Sequence, residues 1–388
     1  MEKTNKSQDT FDCIVIGAGI IGSSTAYSLV KQTKHVMLLD QFCLPHTRGS
    51  SHGHTRVTRY AYYEDQYMKM MPENYRRWKI LEHEVGKELY IKRGMLQIEN
   101  KDGVEFQQTR NLMKVNNLPF HDMTPFEVCK KWPSINFSTE FNIFMDEDAG
   151  VLRADRCLTA FQKIFEKLGG VIKENEQVIT ILPGKEVTVV TSHNRYKAKS
   201  IVITPGAWAS KVLRPLGIDI PLKVLRVNVF FWRWKECYEP NDMPTFVDTS
   251  NGYHIYGLPS IEYPGLMKIC LHGGVEVDPD SRDICYDDCP KDDVNILKRY
   301  VKDHFPGLES TPSIVETCMY TNTNNCDPIL DVHPHYPNIV IGCGFSGHGF
   351  KLAPAVGLLL SQLALRKTPV FDISHNTLSF VLQTKSQL

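Results

Sequence analysis

The pattern of apolar and polar residues at the start of the chain predicts a strand, a helix and a second strand. An apolar run enters a glycine-rich turn at residues 11–19, a helical pattern covers 20–32, and a second apolar run lies at 35–40. This order is typical of a βαβ unit with parallel strands. Residues 199–210 have the pattern of another buried strand followed by a turn, so we expect the sheet to extend beyond one unit.

Helical periodicity recurs along the chain, and a β-rich region lies between the later helices. Apolar positions at helical spacing predict helices at residues 65–90, 155–170 and 290–305, and a Gly-Gly pair ends the second of them. Residues 222–234 and 253–274 show the alternation and aromatic content of an antiparallel sheet. The fold class predicted is therefore mixed, α/β with an α+β part.

The first glycine-rich turn has the spacing of a dinucleotide-binding motif. Gly17, Gly19 and Gly22 form GxGxxG between a predicted strand and a predicted helix, and Asp40 ends the next strand. The glycines allow a tight turn and a close approach to a pyrophosphate, and the helix N-terminus offers N–H donors. The Asp40 carboxylate can accept hydrogen bonds from ribose hydroxyls. The motif alone does not separate NAD from FAD.

A second glycine-rich stretch lies near the C-terminus, at residues 337–357. Its apolar run leads into a turn that also carries His348 and Lys351, and a helical pattern follows. The glycines of this turn are Gly342, Gly344, Gly347 and Gly349. A lysine in the first turn of a helix faces the positive end of the helix dipole, which is unfavourable unless an anion binds there.

Composition and charge exclude several classes of function. Lys plus Arg and Asp plus Glu both number 44 in 388 residues, so we expect neither a nucleic-acid partner nor a membrane partner. The apolar runs are too short to span a bilayer, and residues 1–10 lack an apolar signal segment, which favours an intracellular protein.

The cysteines do not form a metal-binding pattern. The chain has 11 of them, scattered and without a CxxC pair, and Cys285 and Cys289 are the closest two. No second pair or histidine set completes a zinc site, so no metal is predicted. We expect free thiols, most of them packed in the core.

Four sequence blocks, taken together, resemble the monomeric sarcosine oxidase family. They are RGSSHGHTRVTRYAY at 48–62, HIYGLPS with YPGLMK at 254–268, ETCMYTNTNNCDPILD at 316–331 and GFSGHGFKLAP at 344–354. The blocks occur in the order and spacing of that family, and the resemblance runs from about residue 10 to the C-terminus.

This resemblance implies an FAD enzyme that oxidises the C–N bond of secondary amino acids. Sarcosine and L-pipecolate are the implied substrates, with L-proline a further candidate, and dioxygen is reduced to hydrogen peroxide. It also implies that FAD is attached covalently through Cys318, with Cys326 as a weaker alternative. Two alternative hypotheses remain. The protein is a related dehydrogenase that passes electrons to another acceptor, or it is a dinucleotide-binding protein without catalysis.

The resemblance also assigns roles to individual residues. Those matching the catalytic groups are Lys268, His272, Arg56, His348 and Tyr320. Those matching the substrate-binding groups are Arg59, Lys351 and Tyr256. The glycines Gly344 and Gly347 are expected to let the backbone pass close to the flavin. Lys268 corresponds to the lysine that activates oxygen, and its apolar strand makes an ordinary surface lysine a poorer interpretation.

The implied organisation has two domains, both discontinuous. We expect an FAD-binding Rossmann-type domain from segments 1–85, 146–220 and 317–388. We expect a substrate domain with an antiparallel sheet from segments 86–145 and 221–316.

The tail and the family suggest a location and an assembly state. Ser386-Gln387-Leu388 resembles a variant of the Ser-Lys-Leu peroxisomal signal, which an import receptor reads. We therefore expect a peroxisomal protein, or a cytoplasmic one if the tail has no role. The resemblance favours a monomer.

Overall fold

The computed structural model describes residues 10–100, 103–235, 240, 242–283 and 291–378. The predicted tail signal at 386–388 and the pair Cys285 and Cys289 lie outside these residues. Within the described ranges the strands form three sheets, one of eight strands, one of nine and one of three.

The first sheet carries the predicted βαβ unit. Its strands are β1 (Phe11–Ile16), β2 (Val36–Leu39), β9 (Val171–Lys173), β10 (Val178–Leu182), β11 (Val187–Thr191), β12 (Arg195–Ile203), β19 (Ile329–Val332) and β20 (Ile339–Cys343). Strand β1 is central and pairs in parallel with β2 and β12, and β20 continues the parallel set on the far side of β12. Both faces of β1 are covered, so its sequence is an almost unbroken apolar run.

The second sheet is largely antiparallel and contains the β-rich middle of the chain. Its strands are β5 (Met95–Asn100), β6 (Phe120–Met123), β7 (Phe141–Asp146), β13 (Lys223–Arg233), β14 (Thr245–Asp248), β15 (Ile255–Pro259), β16 (Leu266–Leu271), β17 (Val275–Glu276) and β18 (Ile314–Asn322). The long strand β13 pairs with β16 on one side and with the whole of β18 on the other. The antiparallel pairing predicted for β13, β15 and β16 is confirmed.

A small third sheet joins the N-terminal region to the rest of the molecule. It consists of β3 (Thr55–Thr58), β8 (Gly150–Arg153) and β4 (Tyr90–Lys92), in that order. Strand β3 continues into the loop at 59–62, and the side chain of Asp146 binds the backbone of this loop. Its carboxylate accepts hydrogen bonds from the backbone N–H of Tyr60 at 2.7 Å and of Ala61 at 3.0 Å.

The helices cover the sheets. They are α1 (Ile20–Val30), α2 (Asp65–Val85), α3 (Val104–Val115), α4 (Pro125–Lys131), α5 (Ala154–Lys167), α6 (Ala209–Leu213), α7 (Lys291–His304) and α8 (Gly349–Ala364). The helix predicted at 65–90 ends earlier, because Gly86 adopts a left-handed conformation with φ of 65° and caps α2. Residues 90–92 then form strand β4 instead.

The stretch at 337–357 is not a second dinucleotide turn. Strand β20 enters the first sheet beside β12, and helix α8 crosses α1 at close range. A Cβ at Gly357 would lie 2.3 Å from Ser24 Oγ, so only glycine allows this crossing. The chain thus returns to the first sheet and brings the turn at 344–349 to the βαβ unit.

The mixed α/β class is confirmed, and the domain division stays a prediction. Strand β18 belongs along its full length to the antiparallel sheet, so the predicted boundary between residues 316 and 317 falls inside one strand. We propose that the last segment of the FAD-binding domain begins after Asn322.

The described cysteines carry free thiols, but not all of them are core residues. Cys13, Cys157 and Cys270 are buried as predicted, whereas Cys43 and Cys326 are exposed. No His, Cys, Asp and Glu group in the described ranges is arranged to bind a metal. None of the helices described here has both the length and the apolar character needed to cross a bilayer.

Candidate active site

A cavity of about 740 Å³ runs between the first sheet and the antiparallel sheet. Its walls include the glycine turn after β1, the turn before α8, and side chains from β3, β16 and β18. Every residue assigned a role from the sequence lines this cavity except Gly22 and the alternative attachment residue Cys326. The structure therefore brings together groups that are more than 300 positions apart in the chain.

The glycine turn fits a dinucleotide. Gly17 has φ of 97°, and a Cβ there would lie 2.4 Å from the carbonyl oxygen of Thr204. A Cβ at Gly22 would lie 1.8 Å from the carbonyl oxygen of Gly17. Side chains are thus excluded where helix α1 must approach the strand ends, and Gly19 leaves the N-terminus of α1 open to the cavity. This is the arrangement that a pyrophosphate needs.

Asp40 lies at the end of β2, as the sequence predicts. Its two carboxylate oxygens accept hydrogen bonds from the backbone N–H of Ala18 at 2.8 Å and of Phe42 at 2.9 Å. His46 Nε2 lies 3.4 Å from Oδ1. Each carboxylate oxygen keeps a further lone pair, so the group can still accept from a ribose hydroxyl.

Cys318 lies on β18 with its thiol in the cavity wall. It is 7% exposed, and its Sγ lies 4.0 Å from Arg56 Nη2. Cys326 is exposed in a turn with φ of 62° and is not among the described residues that line the cavity.

Arg56 is held rigidly by backbone carbonyl groups. Its guanidinium donates to the carbonyl oxygens of Thr55 at 2.7 Å, His52 at 2.7 Å and Ser50 at 2.9 Å. The ring of Phe350, from α8, lies 5.4 Å from the guanidinium carbon. Arg56 is therefore a fixed positive charge beside Cys318.

Arg59 and Lys351 are two cationic side chains that both lie near the aromatic ring of Tyr62. Arg59 Cζ lies 5.1 Å and Lys351 Nζ lies 6.0 Å from the centre of the Tyr62 ring. Burial, followed by the repulsion from Arg59, lowers the pKa of Lys351 from 10.5 to about 7. Arg59 Nε is buried and has no hydrogen-bond partner among the described residues. The pair has the character of an anion site, because an anion would relieve the repulsion and satisfy the free donor.

The hydrogen-bond ladder of helix α8 is interrupted close to Lys351, because a proline lies inside the helix. Pro354 removes one N–H from the helix ladder. Asn74, fully buried on α2, bridges the next pair of the ladder, because its Nδ2 donates to the carbonyl oxygen of Lys351 and its Oδ1 accepts from the N–H of Ala355 at 3.2 Å. The backbone at Lys351 is thus fixed from a neighbouring helix.

Three histidines stand around this pair of cations in the neutral form. Burial lowers the pKa of His272 to about 4 and places the pKa of His348 and of His254 well below the usual value, and Lys351 and Arg59 add to the effect. His348 Nδ1 is buried and unpaired in the described part of the chain. The rings of His254 and His272 lie 4.9 Å apart.

The two tyrosines predicted to line the substrate pocket, Tyr256 and Tyr320, contact each other beside His272. The ring of Tyr320 lies 5.0 Å from His272, and its hydroxyl interacts by hydrogen bond with that of Tyr256. Burial raises the pKa of Tyr320 to about 12, so both hydroxyls keep their protons near neutral pH.

The two glycines of the returning turn have the conformations their role needs. Gly344 and Gly347 have φ of 69° and 92°. A Cβ at Gly347 would lie 2.9 Å from Cε1 of His272. The backbone therefore runs close to the pocket side chains without a side chain of its own.

Lys268 is buried in the cavity wall, at 6% exposure. Its Nζ donates to Thr55 Oγ1 at 3.2 Å and lies 3.6 Å from the Glu262 carboxylate. Sequence reasoning missed both partners, and it also missed His254. The signal for His254 was available, because it lies two positions before Tyr256 in an extended segment and so faces the same side.

Comparison with known proteins identifies the class. Residues 12–363 match the model of the FAD dependent oxidoreductase family, so the chain belongs to that family. The cofactor for which the glycine turn and the cavity are built is therefore FAD.

Within that family the chain belongs with the sarcosine oxidases. It is 45% identical to the peroxisomal sarcosine oxidase of Mus musculus over 376 residues, which cover 94% of this chain and 95% of the mouse protein. It is 36% identical to the monomeric sarcosine oxidase of Bacillus sp. over 372 residues, 94% of each chain. The family resemblance inferred from the sequence blocks is confirmed.

A solved structure with low sequence identity has the same fold. The L-proline dehydrogenase of P. horikoshii superimposes with a TM-score of 0.83 at 20% identity and covers 97% of this chain and 99% of its own. At 20% identity this match shows that the two proteins share a fold and nothing about a shared function.

The lowered pKa of Lys351 makes anion binding depend on pH. Acetate stays ionised near neutral pH, and Lys351 carries its charge below about pH 7 and loses it above. Above that pH binding must take up a proton, so the dissociation constant of acetate should rise by up to about tenfold per pH unit. Titration of the flavin spectrum of the holoenzyme with acetate measures it.

Two variants serve as controls for this titration. Lys351→Met should bind acetate weakly and with a much flatter pH profile, whereas Lys87→Met, at an exposed lysine, should behave as the wild type. The same acetate affinity on both sides of neutral pH in the wild type would contradict the assignment.

Proposed function

We propose that the protein oxidises secondary amino acids, with FAD as the electron acceptor and dioxygen as the final oxidant. Sarcosine and L-pipecolate are the proposed substrates, with L-proline a further candidate. The observation that carries the proposal is the pair Arg59 and Lys351 in the cavity wall, beside neutral histidines and tyrosines. The sarcosine oxidase names of the relatives from Mus musculus and Bacillus support the same substrate class.

The substrate carboxylate binds to the cation pair in this proposal. Arg59 offers a planar fork of donors and Lys351 a compact charge, so together they fix both the position and the orientation of the carboxylate. The carboxylate also restores the charged form of Lys351, which burial and Arg59 disfavour. Binding therefore couples to the uptake of a proton above neutral pH.

The amine must be neutral before its C–N bond can be oxidised. The positive charges of Arg59 and Lys351 disfavour an ammonium group in the same cavity. His348 Nδ1 is buried and unpaired within the described chain, so it can form a hydrogen bond with the substrate. Because burial and the two cations hold the pKa of His348 well below its usual value, the imidazole stays neutral and adds no charge beside the amine. His272 and Tyr320 close the pocket and exclude water from the reacting carbon.

When bound, FAD would accept the two electrons released as the C–N bond of the substrate is oxidised to an imine. The imine then hydrolyses or, for a ring substrate, persists as a cyclic imine. Lys268 has a separate role in the proposal, on the oxygen side of the reaction. A buried ammonium in the cavity wall stabilises the negative charge that develops as oxygen is reduced.

The cofactor is covalently attached through Cys318 in this proposal. The thiol lines the cavity, with its Sγ 4.0 Å from Nη2 of Arg56, and cysteine reacts as the thiolate. Gly17, Gly19 and Asp40 hold the dinucleotide part, while Gly344 and Gly347 leave room at the ring. The bond would prevent loss of the cofactor.

Location and assembly complete the proposal. We propose a peroxisomal enzyme, on the strength of the peroxisomal relative of Mus musculus and of the tail Ser386-Gln387-Leu388, which an import receptor would read. We further propose that the enzyme acts as a monomer, in keeping with the name of the monomeric sarcosine oxidase of Bacillus sp..

The substrate and the acceptor are tested in one set of measurements. Sarcosine, L-pipecolate and L-proline are added to the holoenzyme without oxygen, and bleaching of the flavin absorbance is followed. At least one should bleach it rapidly, and air should then restore the colour with one equivalent of hydrogen peroxide.

The outcomes of this experiment separate the alternatives. Bleaching without restoration by air, but with restoration by an artificial electron acceptor, would identify a dehydrogenase. Failure of every secondary amino acid to bleach the flavin would refute the proposed substrate class.

The covalent bond is tested by denaturation. Wild-type holoenzyme precipitated with acid should keep its yellow colour in the pellet, because the flavin stays attached to the peptide that contains Cys318. Cys318→Ser should release the flavin, whereas Cys326→Ser should retain it. A colourless wild-type pellet, or release only from Cys326→Ser, would rule out the linkage at Cys318.

A further inference from the structure

Lys268 is one half of a buried ion pair. The other half is Glu262, in the connection between β15 and β16. Lys268 Nζ lies 3.6 Å from Glu262 Oε1, and the two side chains are 8% and 4% exposed. Charged side chains are rarely buried to this degree without a partner, so each one accounts for the presence of the other.

Thr55, on β3, connects the two charges. Lys268 Nζ donates to Thr55 Oγ1 at 3.2 Å, and the Thr55 hydroxyl donates to Glu262 Oε1 at 3.0 Å. The second carboxylate oxygen accepts from the backbone N–H of Ile261 at 3.0 Å. Both carboxylate oxygens thus accept a hydrogen bond, which favours the ionised carboxylate.

Glu262 stands behind the cavity wall. Lys268 and Thr55 both line the cavity, whereas Glu262 is absent from the described lining residues. Glu262 therefore contacts the cavity wall through Lys268 and Thr55.

The carboxylate is held in its charged form despite burial. Burial raises the pKa of Glu262, but the charge of Lys268 and the hydrogen bonds from Thr55 and Ile261 outweigh it, and the net pKa lies below the usual value. The charge of one partner thus depends on that of the other.

We propose that Glu262 is a positioning residue that keeps Lys268 protonated and directed at the cavity, so that the oxygen reaction depends on Glu262. The inference rests on the oxygen role proposed above for Lys268. Replacing Glu262 by glutamine keeps the shape of the side chain but leaves a buried ammonium without its counter-ion. The neutral amine is then favoured, and the cavity loses its positive charge as the pH rises.

Other titratable groups surround the pair. Cys270, on the same strand as Lys268, interacts with both charges, and burial raises its pKa. Tyr263 and Glu316 hydrogen-bond to each other at 2.5 Å, and Arg56 follows Thr55 on β3. A pH effect that appears in the Glu262 variant and disappears in the background of Lys268→Met therefore reports on Lys268.

The test uses the holoenzyme reduced by light, which avoids any need for an amino acid substrate. Reoxidation by oxygen is followed by stopped flow between about pH 6 and pH 9. Wild-type reoxidation should vary little, whereas Glu262→Gln should slow by about tenfold or more as the pH rises. Glu262→Asp retains the charge and should largely restore the flat profile.

A matched control comes from a second Lys–Glu pair. Glu84 lies 2.5 Å from Lys31 outside the cavity lining, and Glu84→Gln should leave the reoxidation profile unchanged. In the background of Lys268→Met, which should itself be slow, adding Glu262→Gln should have no further effect, because Glu262 acts through Lys268.

An independent readout does not involve catalysis. Formaldehyde with a mild reductant methylates only neutral amines, and peptide mass spectrometry locates the label. Near neutral pH the labelled fraction at Lys268 should rise severalfold in Glu262→Gln and stay unchanged in Glu84→Gln.

Several outcomes would overturn the inference. They are a pH profile for Glu262→Gln that matches the wild type, an equal loss in flavin reduction and reoxidation, unchanged labelling of Lys268, and wild-type reoxidation in Lys268→Met. Failure of the proposed substrates would look different, because no amino acid would reduce the flavin while photochemical reduction and reoxidation proceeded as described.

Discussion

The site depends on two positive charges that are forced together in a buried place. Arg59 and Lys351 approach the same tyrosine ring, and the cost of holding them there appears in the lowered pKa of Lys351. Neutral histidines around them add no further charge near neutral pH. A carboxylate beside the two cations relieves their repulsion, so the electrostatics of the site favour binding of an anion.

Much of the fold serves to hold these two charges in position. Asp146, at the end of β7, fixes the loop that follows Arg59, and Asn74 fixes the broken first turn of α8 at Lys351. The glycine at the crossing of α1 and α8 sets how close that helix lies to the dinucleotide turn. The helix that carries Lys351 therefore packs directly on the helix that follows the dinucleotide turn.

Sequence patterns predicted the parts that local chemistry determines. The glycine spacing and the strand before it indicated the dinucleotide turn, and a lysine at a helix N-terminus indicated an anion site. The sequence patterns could not predict which distant side chains contact the residues of the site. Asn74 meets Lys351 across 277 positions, and Thr55 meets Glu262 across 207, and no periodicity or motif encodes such contacts. Helix α2 was predicted too long because a single glycine cap outweighed a continuing polar pattern.

The central claim is that Arg59 and Lys351 together bind the carboxylate. A crystal structure of the holoenzyme with bound acetate measures this directly. We expect the acetate oxygens within hydrogen-bond distance of the Arg59 guanidinium and of Lys351 Nζ, in the pocket beside His272 and Tyr320. Acetate bound elsewhere in the cavity, away from both cations, would contradict it.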